Sequence, residues 1–404
     1  MHIAYLSPTW PPAGAANGVV TYVSAMRSYL RSQGHDVSIL AQGKLFASDG
    51  SIHDFDAERG ALGHYIARLR GRIDSHLGHR PWSARIVASQ LSKACRLAPI
   101  DLVEMEESFG WSHAAQLRLN VPVITRLHGP HALMPKFPKA PGEARRSRHR
   151  VSAEGKAICG ASALTAPSRT VMNAICSLYG REDATGEIIP NPVAVADPDE
   201  RWRLSDCQRD VILYVGRFDR LKGADTILAA FQRLLHKRPT AKLLMVGPDY
   251  GLTLDDGRTF NWDVYASEHL SSEERKNIEF LGIQTPDQIR MLRRRAHVTV
   301  VASRWENFPY AAVEAMAVGS PLISTNWAGS ADLIAHGQTG WRTPVGRPEL
   351  LADRICWLLG NPAAATRAGE AAWNQCRTAY SIASIGARTL GFYEETLSRH
   401  PKRD

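Results

Sequence analysis

The feature that most constrains this chain is a repeated cycle of a short apolar run, a glycine-bearing turn and a helical stretch. His2–Leu6 is such a run, and Val19–Gln33 carries helical periodicity that stops at Gly34. Val37–Leu40, Leu102–Val103, Val121–Thr125 and Ala163–Thr165 follow, the last ahead of a helix opened by Ser168. Runs this short, alternating with helices, fit the buried strands of a parallel sheet covered on both faces. From Asn191 to Arg209 the pattern lapses into prolines and charges, including Asp197-Pro198-Asp199-Glu200. It then restarts with strands at Val211–Val215, Lys242–Val246, Ile278–Leu281, His297–Val301 and Pro321–Thr325, and helices over Ala224–His236 and Pro309–Val318. At 404 residues the chain exceeds one ordinary domain of about 100–200 residues. The expected fold class is α/β, with two doubly wound, Rossmann-like domains at 1–193 and 210–381 and a linker at 194–209. A last helix, Ile385–Leu397, need not belong to the second domain.

Composition narrows the class of protein. A hydrophobic content of 44% with 22% charged residues suits a globular protein with full-sized cores. No run approaches the ~18–20 apolar residues of a membrane span, and Met1–Leu6 meets Pro8 too soon for a signal peptide. A cytoplasmic location is expected. Six scattered cysteines without a C-x-x-C pair read as small buried hydrophobes. The net charge is +9, with basic residues crowded at Lys136, Lys139, Arg145, Arg146, Arg148 and Arg150, and again at Arg290, Arg293, Arg294 and Arg295. Such clusters attract nucleic acid, anionic lipid or acidic substrates. A solvated helix face is the plainer reading, more so for the second cluster.

Two stretches carry chemistry. Val215-Gly216-Arg217-Phe218-Asp219-Arg220-Leu221-Lys222-Gly223 leaves a buried strand and enters a helix. Ligands of open α/β sheets bind beyond the carboxyl ends of strands. Two cations beside a helix N-terminus make an anion site, Arg217 as a fork and Lys222 as a mobile point charge. The second stretch, Glu306-Asn307-Phe308-Pro309-Tyr310-Ala311-Ala312-Val313-Glu314, sets two carboxylates eight residues apart. Pro309 suits the first helical turn, which puts Glu306 in the loop and Glu314 over a turn into the helix. A helical rise of about 12 Å over that spacing suits gripping two hydroxyl-rich parts of one long ligand, not sharing a proton.

The Glu306-x7-Glu314 element, the following Ala315-Met316-Ala317-x-Gly319-x-Pro321 and the upstream Gly216-Arg217…Lys222-Gly223 resemble glycosyltransferase family 4, over nearly the whole chain. That resemblance implies the GT-B fold, two Rossmann-like domains facing each other across a cleft, with the C-terminal helix (382–404) crossing back to the N-terminal domain. It implies that Arg217 and Lys222 bind the donor diphosphate and that Glu314 accepts hydrogen bonds from the ribose. Glu306, with the backbone of Asn307 and Phe308, would hold the transferred sugar, and the stretch after Gly282, around Ile283, would contact the base. Gly18, in Ala16-Asn17-Gly18-Val19-Val20, is what remains of the family's Gly-Gly loop, and Asn17 implies a differently bonded turn there. His128, in Thr125-Arg126-Leu127-His128-Gly129-Pro130, matches the family's active-site histidine, with His131 a weaker candidate. Asp332 stands where the family commonly has Glu, and its shorter reach puts its donor contact in question.

The resemblance implies retaining transfer of a hexose, with no cofactor and no metal. The donor would be a nucleotide-sugar, UDP-linked by preference. Arg217, Lys222 and helix N-termini can neutralise a leaving diphosphate, the job a metal does elsewhere. Asp197-Pro198-Asp199 mimics a metal-binding D-x-D but sits in the expected linker. No carboxylate nucleophile stands out, so the acceptor hydroxyl is expected to attack from the face the diphosphate leaves. Glu306 and His128 would steady the sugar. The acceptor is expected to be a glycan, a lipid-linked glycan or a small molecule, and Lys136–Arg150 suggests peripheral contact with an anionic membrane. A nucleotide-sugar epimerase on the same fold is one alternative. A nucleic-acid-binding protein is another, disfavoured because the basic clusters lack interleaved aromatics, so no nucleic-acid partner is expected. A dehydrogenase is disfavoured because neither first turn reads G-x-G-x-x-G.

Overall fold

Strands form where the apolar runs stop at glycine or a polar turn, and the residues between them fold as helices that cover the sheets. The protein is described here from a computed structural model over residues 1–12, 17–57, 61–134, 142–181 and 186–400. It divides into two units, Met1–Pro192 together with the C-terminal helix, and Val193–Ser381.

The first unit opens with β1 (His2–Leu6), α1 (Gly18–Ser32), β2 (Asp36–Ala41), β3 (Lys44–Phe46) and β4 (Ile52–Asp54). Then come α2 (Ala61–Leu77), α3 (Pro81–Leu97), β5 (Leu102–Glu106), α4 (Trp111–Gln116) and β6 (Val123–Arg126). α5 (Glu143–Cys159), β7 (Ala163–Ala166), α6 (Arg169–Tyr179) and β8 (Gly186–Ile188) complete it. The sheet order is β4-β3-β2-β1-β5-β6-β7-β8. The six strands from β2 to β8 pair in parallel, and β3 and β4 extend one edge as antiparallel strands.

The second unit contains β9 (Gln208–Val215), α7 (Ala224–Leu235), β10 (Lys242–Val246), the two-residue strands β11 (Leu252–Thr253) and β12 (Thr259–Phe260), α8 (Trp262–His269) and α9 (Ser272–Lys276). β13 (Ile278–Gly282), α10 (Pro286–Arg295), β14 (Ala296–Val301), α11 (Tyr310–Val318) and β15 (Leu322–Thr325) follow. α12 (Ser330–Leu333), β16 (Trp341–Thr343), α13 (Pro348–Leu359) and α14 (Pro362–Gln375) end it. Its sheet runs β13-β10-β9-β14-β15-β16, all parallel. That order reverses between β9 and β14, which creates a crevice beyond their carboxyl ends.

Residues 194–209, expected as a linker, are instead fastened to the second unit. The Trp202 indole N–H donates to the Ala296 carbonyl at 2.8 Å, and the Trp373 indole N–H to Ala196 at 2.8 Å. The Ala196 and Trp202 amides donate to Ala317 and Val318 at 3.0 and 2.8 Å. A buried indole needs an acceptor, and here the segment's backbone and the facing unit supply each other's partners.

The last helix, α15 (Ile382–Arg399), packs on the first unit, not the second. Ile385, Phe392 and Tyr393 are buried against Tyr5, Tyr22, Met26 and Leu30. The Tyr393 hydroxyl donates to Glu104 at 2.7 Å and meets the Tyr5 hydroxyl at 2.7 Å. Burial pushes the Glu104 carboxyl up, while the Arg126 cation and the tyrosine hydroxyls pull it down. Among the described residues no helix is long and apolar enough to cross a membrane.

Candidate active site

The second unit gathers the residues of the two chemical stretches at the reversal between β9 and β14. After β9 the chain turns through Gly216–Gly223 into α7. The Tyr214 hydroxyl holds this turn by donating to the carbonyls of Arg217 and Lys222 at 2.9 and 3.1 Å. Asp219 accepts from the Lys222 amide at 2.7 Å. Gly223, at φ 74, caps α7, and a Cβ there would collide with the Ala302 carbonyl beyond β14. Only glycine allows the two loops to approach this closely.

That approach joins groups 84 residues apart. The Lys222 ammonium donates to Glu306 Oε1 at 2.6 Å, and the Ser303 hydroxyl donates to the same oxygen at 2.6 Å. Glu306 is only 8% exposed, and Oε2 is left without a protein partner among the described residues. Arg217 sits 2.6 Å from Asp219 and 5.2 Å from the ring centre of the exposed Tyr250. Asn307 and Phe308 are buried behind Glu306, and the Phe308 ring meets Tyr380 edge-on at 5.9 Å.

Pro309 is the residue before the helix, not its first turn: at ψ 118 it is extended, and α11 starts at Tyr310. Glu314 therefore lies one turn into α11. Its Oε2 is 2.7 Å from Arg293, and the carboxylate stays 37% exposed. Both carboxylates of the pair thus spend one oxygen on a cation and present the other. Arg293 corrects the reading of Arg290–Arg295 as a solvated face: it is 3% exposed, turned inward from α10 onto the Glu314 carboxylate. Arg290 and Arg295 do face solvent, and Arg290 lies 3.7 Å from Asp287.

Gly282 ends β13 at φ 62 with open space where a Cβ would stand, and Ile283 beyond it is 64% exposed. The Gly247 amide donates to the Gly282 carbonyl at 2.8 Å, and Gly247 abuts the Gly216 carbonyl so closely that a Cβ cannot fit. Gly247 was missed by sequence reasoning; its signal was Met245-Val246-Gly247-Pro248, a strand stopped by glycine. Asp332 is exposed in the short α12, capped by Gly329 at φ 90.

In the first unit, Gly18 is the first residue of α1, and Asn17 caps it. The Asn17 carbonyl oxygen of the side chain accepts from the amides of Val19 and Val20 at 2.9 and 3.4 Å. Those two donors are thereby committed to the cap. His128 follows β6 and is half-buried, its ring edge-on to Tyr22 at 5.2 Å. Burial and the Arg126 cation push His128 well below the ordinary histidine range, so it is neutral at neutral pH. Its backbone is fixed by an acid the sequence did not single out. Glu107, wholly buried, accepts from the amides of His128 and Gly129, each at 2.8 Å. Burial and the neighbouring Glu154 and Glu106 push Glu107 up to about 8.

Glu154, also buried, accepts from the His131 amide at 2.8 Å, the Phe109 amide at 3.3 Å and Arg150 at 2.6 Å. The Phe109 ring lies between the guanidinium groups of Arg150 and Arg80, at 4.1 and 4.5 Å. His131 Nε2 is 2.9 Å from the Ser147 hydroxyl. Of the first basic cluster, Lys136 and Lys139 lie outside the described residues. Arg145 and Arg148 are exposed on α5. Asp199 is exposed and paired with Arg203 at 3.2 Å, not poised as a metal ligand.

The chain matches two family descriptions in succession: "Glycosyltransferase Family 4" over residues 16–197 and "Glycosyl transferases group 1" over residues 199–375. It is 24% identical to a glycogen synthase of Mycobacterium tuberculosis, covering 97% of this chain and 94% of that protein. It is 25% identical to a D-inositol 3-phosphate glycosyltransferase of Pseudarthrobacter chlorophenolicus, over 96% and 93%. Among solved structures, sucrose-phosphate synthase from Thermosynechococcus elongatus superposes with a TM-score of 0.76 at 21% identity, over 98% and 99% of the two chains. Anabaena Alr3699/HepE, solved in complex with UDP, superposes with a TM-score of 0.62 at 18% identity, over 99% and 100%.

Proposed function

This chain belongs to glycosyltransferase family 4, and from that premise we propose that it transfers a hexose from a UDP-sugar to an acceptor hydroxyl, with retention and without metal. The observation that carries the reading is the Lys222–Glu306–Ser303 junction beside Arg217. It sets fixed positive charge next to a carboxylate whose free oxygen can accept sugar hydroxyls. Arg217 and Lys222 bind the diphosphate and stabilise it as it leaves. Glu306, with the Asn307–Phe308 backbone, holds the transferred sugar. Glu314 accepts the ribose hydroxyls through the oxygen that Arg293 leaves open, and the base lies along the exposed stretch after Gly282 and Ile283. Uridine is the favoured base because a structural neighbour was solved with UDP.

The acceptor hydroxyl attacks the anomeric carbon from the face that the diphosphate leaves, and the departing phosphate oxygen takes its proton. His128, neutral, acts on the sugar as a hydrogen-bonding dipole, not a charge. Gly18 opens the backbone at the start of α1. The acceptor, a glycan, lipid-linked glycan or small molecule, is assigned to the first unit. Thermal unfolding with UDP, GDP, ADP and their hexose conjugates in EDTA tests this. A ligand at 100 times its Kd stabilises the fold by about 2.7 kcal/mol, and Arg217→Ala or Glu314→Ala should abolish the UDP shift. A shift that needs magnesium sinks metal independence, and a product of inverted anomeric configuration by NMR sinks the same-face attack.

A further inference from the structure

A cavity of about 510 Å³ on the first unit is lined by Arg70 of α2, Arg85 and Lys93 of α3 and Arg118 beyond α4, with Phe55 and Trp82 as aromatic walls. None of its lining residues belongs to the His128 or Glu107 loops, and no carboxylate is among them. Among the described residues the acids nearest in sequence already have partners, Asp54 lying 3.3 Å from Lys44. Asp56 accepts from the Gln90 amide at 3.1 Å. Asp74 caps the start of α3, accepting from the Trp82 and Ser83 amides at 3.2 and 2.8 Å and from the Ser83 hydroxyl at 2.7 Å. Among the described residues Arg70, Arg85 and Arg118 enter no salt bridge. Lys93 lies over the Phe55 ring at 5.6 Å.

Three guanidinium groups around one concavity raise its potential, and a bound anion relieves their mutual repulsion. Guanidinium forks match phosphate oxygens pairwise, so a phosphate group, monoester or diester, can engage more than one of them at once. Two aromatic walls add apolar surface for the organic part of an ester. We propose that this cavity binds a phosphate monoester or diester, separately from the nucleotide-sugar site.

The phosphate could come from a free metabolite or from a lipid headgroup. Ile66, Leu69 and Ile73 stand exposed at helical spacing on α2, beside Arg70, which makes vesicles a necessary second arm. The experiment uses the full chain and the double variant Arg85→Ala/Arg118→Ala, whose side chains are exposed. Glycerol 3-phosphate is titrated calorimetrically, and co-sedimentation is measured with phosphatidylglycerol and with phosphatidylcholine vesicles. The expected result is salt-sensitive binding in at least one phosphate arm, weakened tenfold or more in the double variant and unchanged in Arg217→Ala. Binding of glycerol 3-phosphate assigns the site to free esters, and selective binding of phosphatidylglycerol vesicles alone assigns it to headgroups. No binding in either arm, or equal binding by the double variant, overturns the proposal. The UDP thermal shift should survive in the double variant, so its failure in both proteins would count against the donor reading and not against this cavity.

Discussion

Glu107 spends one buried carboxylate on two consecutive amides, and that fixes where the His128 side chain starts. Glutamine in its place offers one acceptor oxygen and sets an NH2 against an N–H. Misplacement of a contacting group by about 1 Å can cost ~100-fold in rate. Above pH 8, where Glu107 is ionised and both its oxygens accept, Glu107→Gln should therefore lower kcat by about that factor while the UDP shift, which depends on the second unit, stays intact; equal loss of both would mean simple misfolding. A pH signature follows as well. In the folded protein Glu107 is raised to about 8, against about 4.3 for an unfolded glutamate. Between those values the folded chain keeps a proton that the unfolded chain has released. Stability thus falls as pH rises through that window and levels off above it. Denaturant titrations from pH 5 to 8.5 should show a shallower fall in Glu107→Gln than in the parent. Lys222→Ala tests the other half of the site: kcat/KM should drop ~100-fold or more, the size of losing one preorganised donor to a developing oxyanion.

Elements were more legible than their contacts. Ten strands of the two sheets could be read because each is a short apolar run stopped by glycine or a polar turn, and both chemical stretches sit on the loops that follow such strands. The strands β3, β4, β8 and β16 at the sheet edges and the helices α2, α13 and α14 lack so clean a signal, and packing decides them. The partners of buried charges were invisible for a different reason. Glu104 and Glu107 meet Tyr393, His128 and Glu154 from distant parts of the chain, and no local pattern marks a buried acid's partner. Arg293 misled because three neighbours of the same charge sit on its helix, and only the geometry of α10 against α11 turns it inward. At the junction of β9 and α7 the constraint is steric. Gly223→Ala combines a left-handed φ with a Cβ aimed at the Ala302 carbonyl, so it should cost more than the ~1 kcal/mol of an ordinary helix-end glycine. It should also weaken UDP binding, since the loop carrying Lys222 must move off the one carrying Glu306. An unchanged UDP shift would show that this close approach is dispensable.

At the level of the whole molecule, the two units can be perturbed separately. Phe392 is 4% exposed in the core that α15 shares with Tyr22 and Met26, and Phe392→Ala should cost about 3–5 kcal/mol. The loss falls on the first unit. Scanning calorimetry should show the transition of that unit moved down, with a UDP-responsive transition still present for the second. A single transition that moves as one would mean the units unfold together.

The return of α15 also sets an order of events during synthesis. Residues 193–381 form one uninterrupted stretch and can close their sheet as soon as they have left the ribosome. The first unit leaves earlier, yet it must wait for Ile385, Phe392 and Tyr393, which are made after the whole of the second unit, before its core is covered. Domains generally mature in the order in which they are translated. Here the unit started first is completed after the second, so a premature stop before Ile385 would damage the first unit.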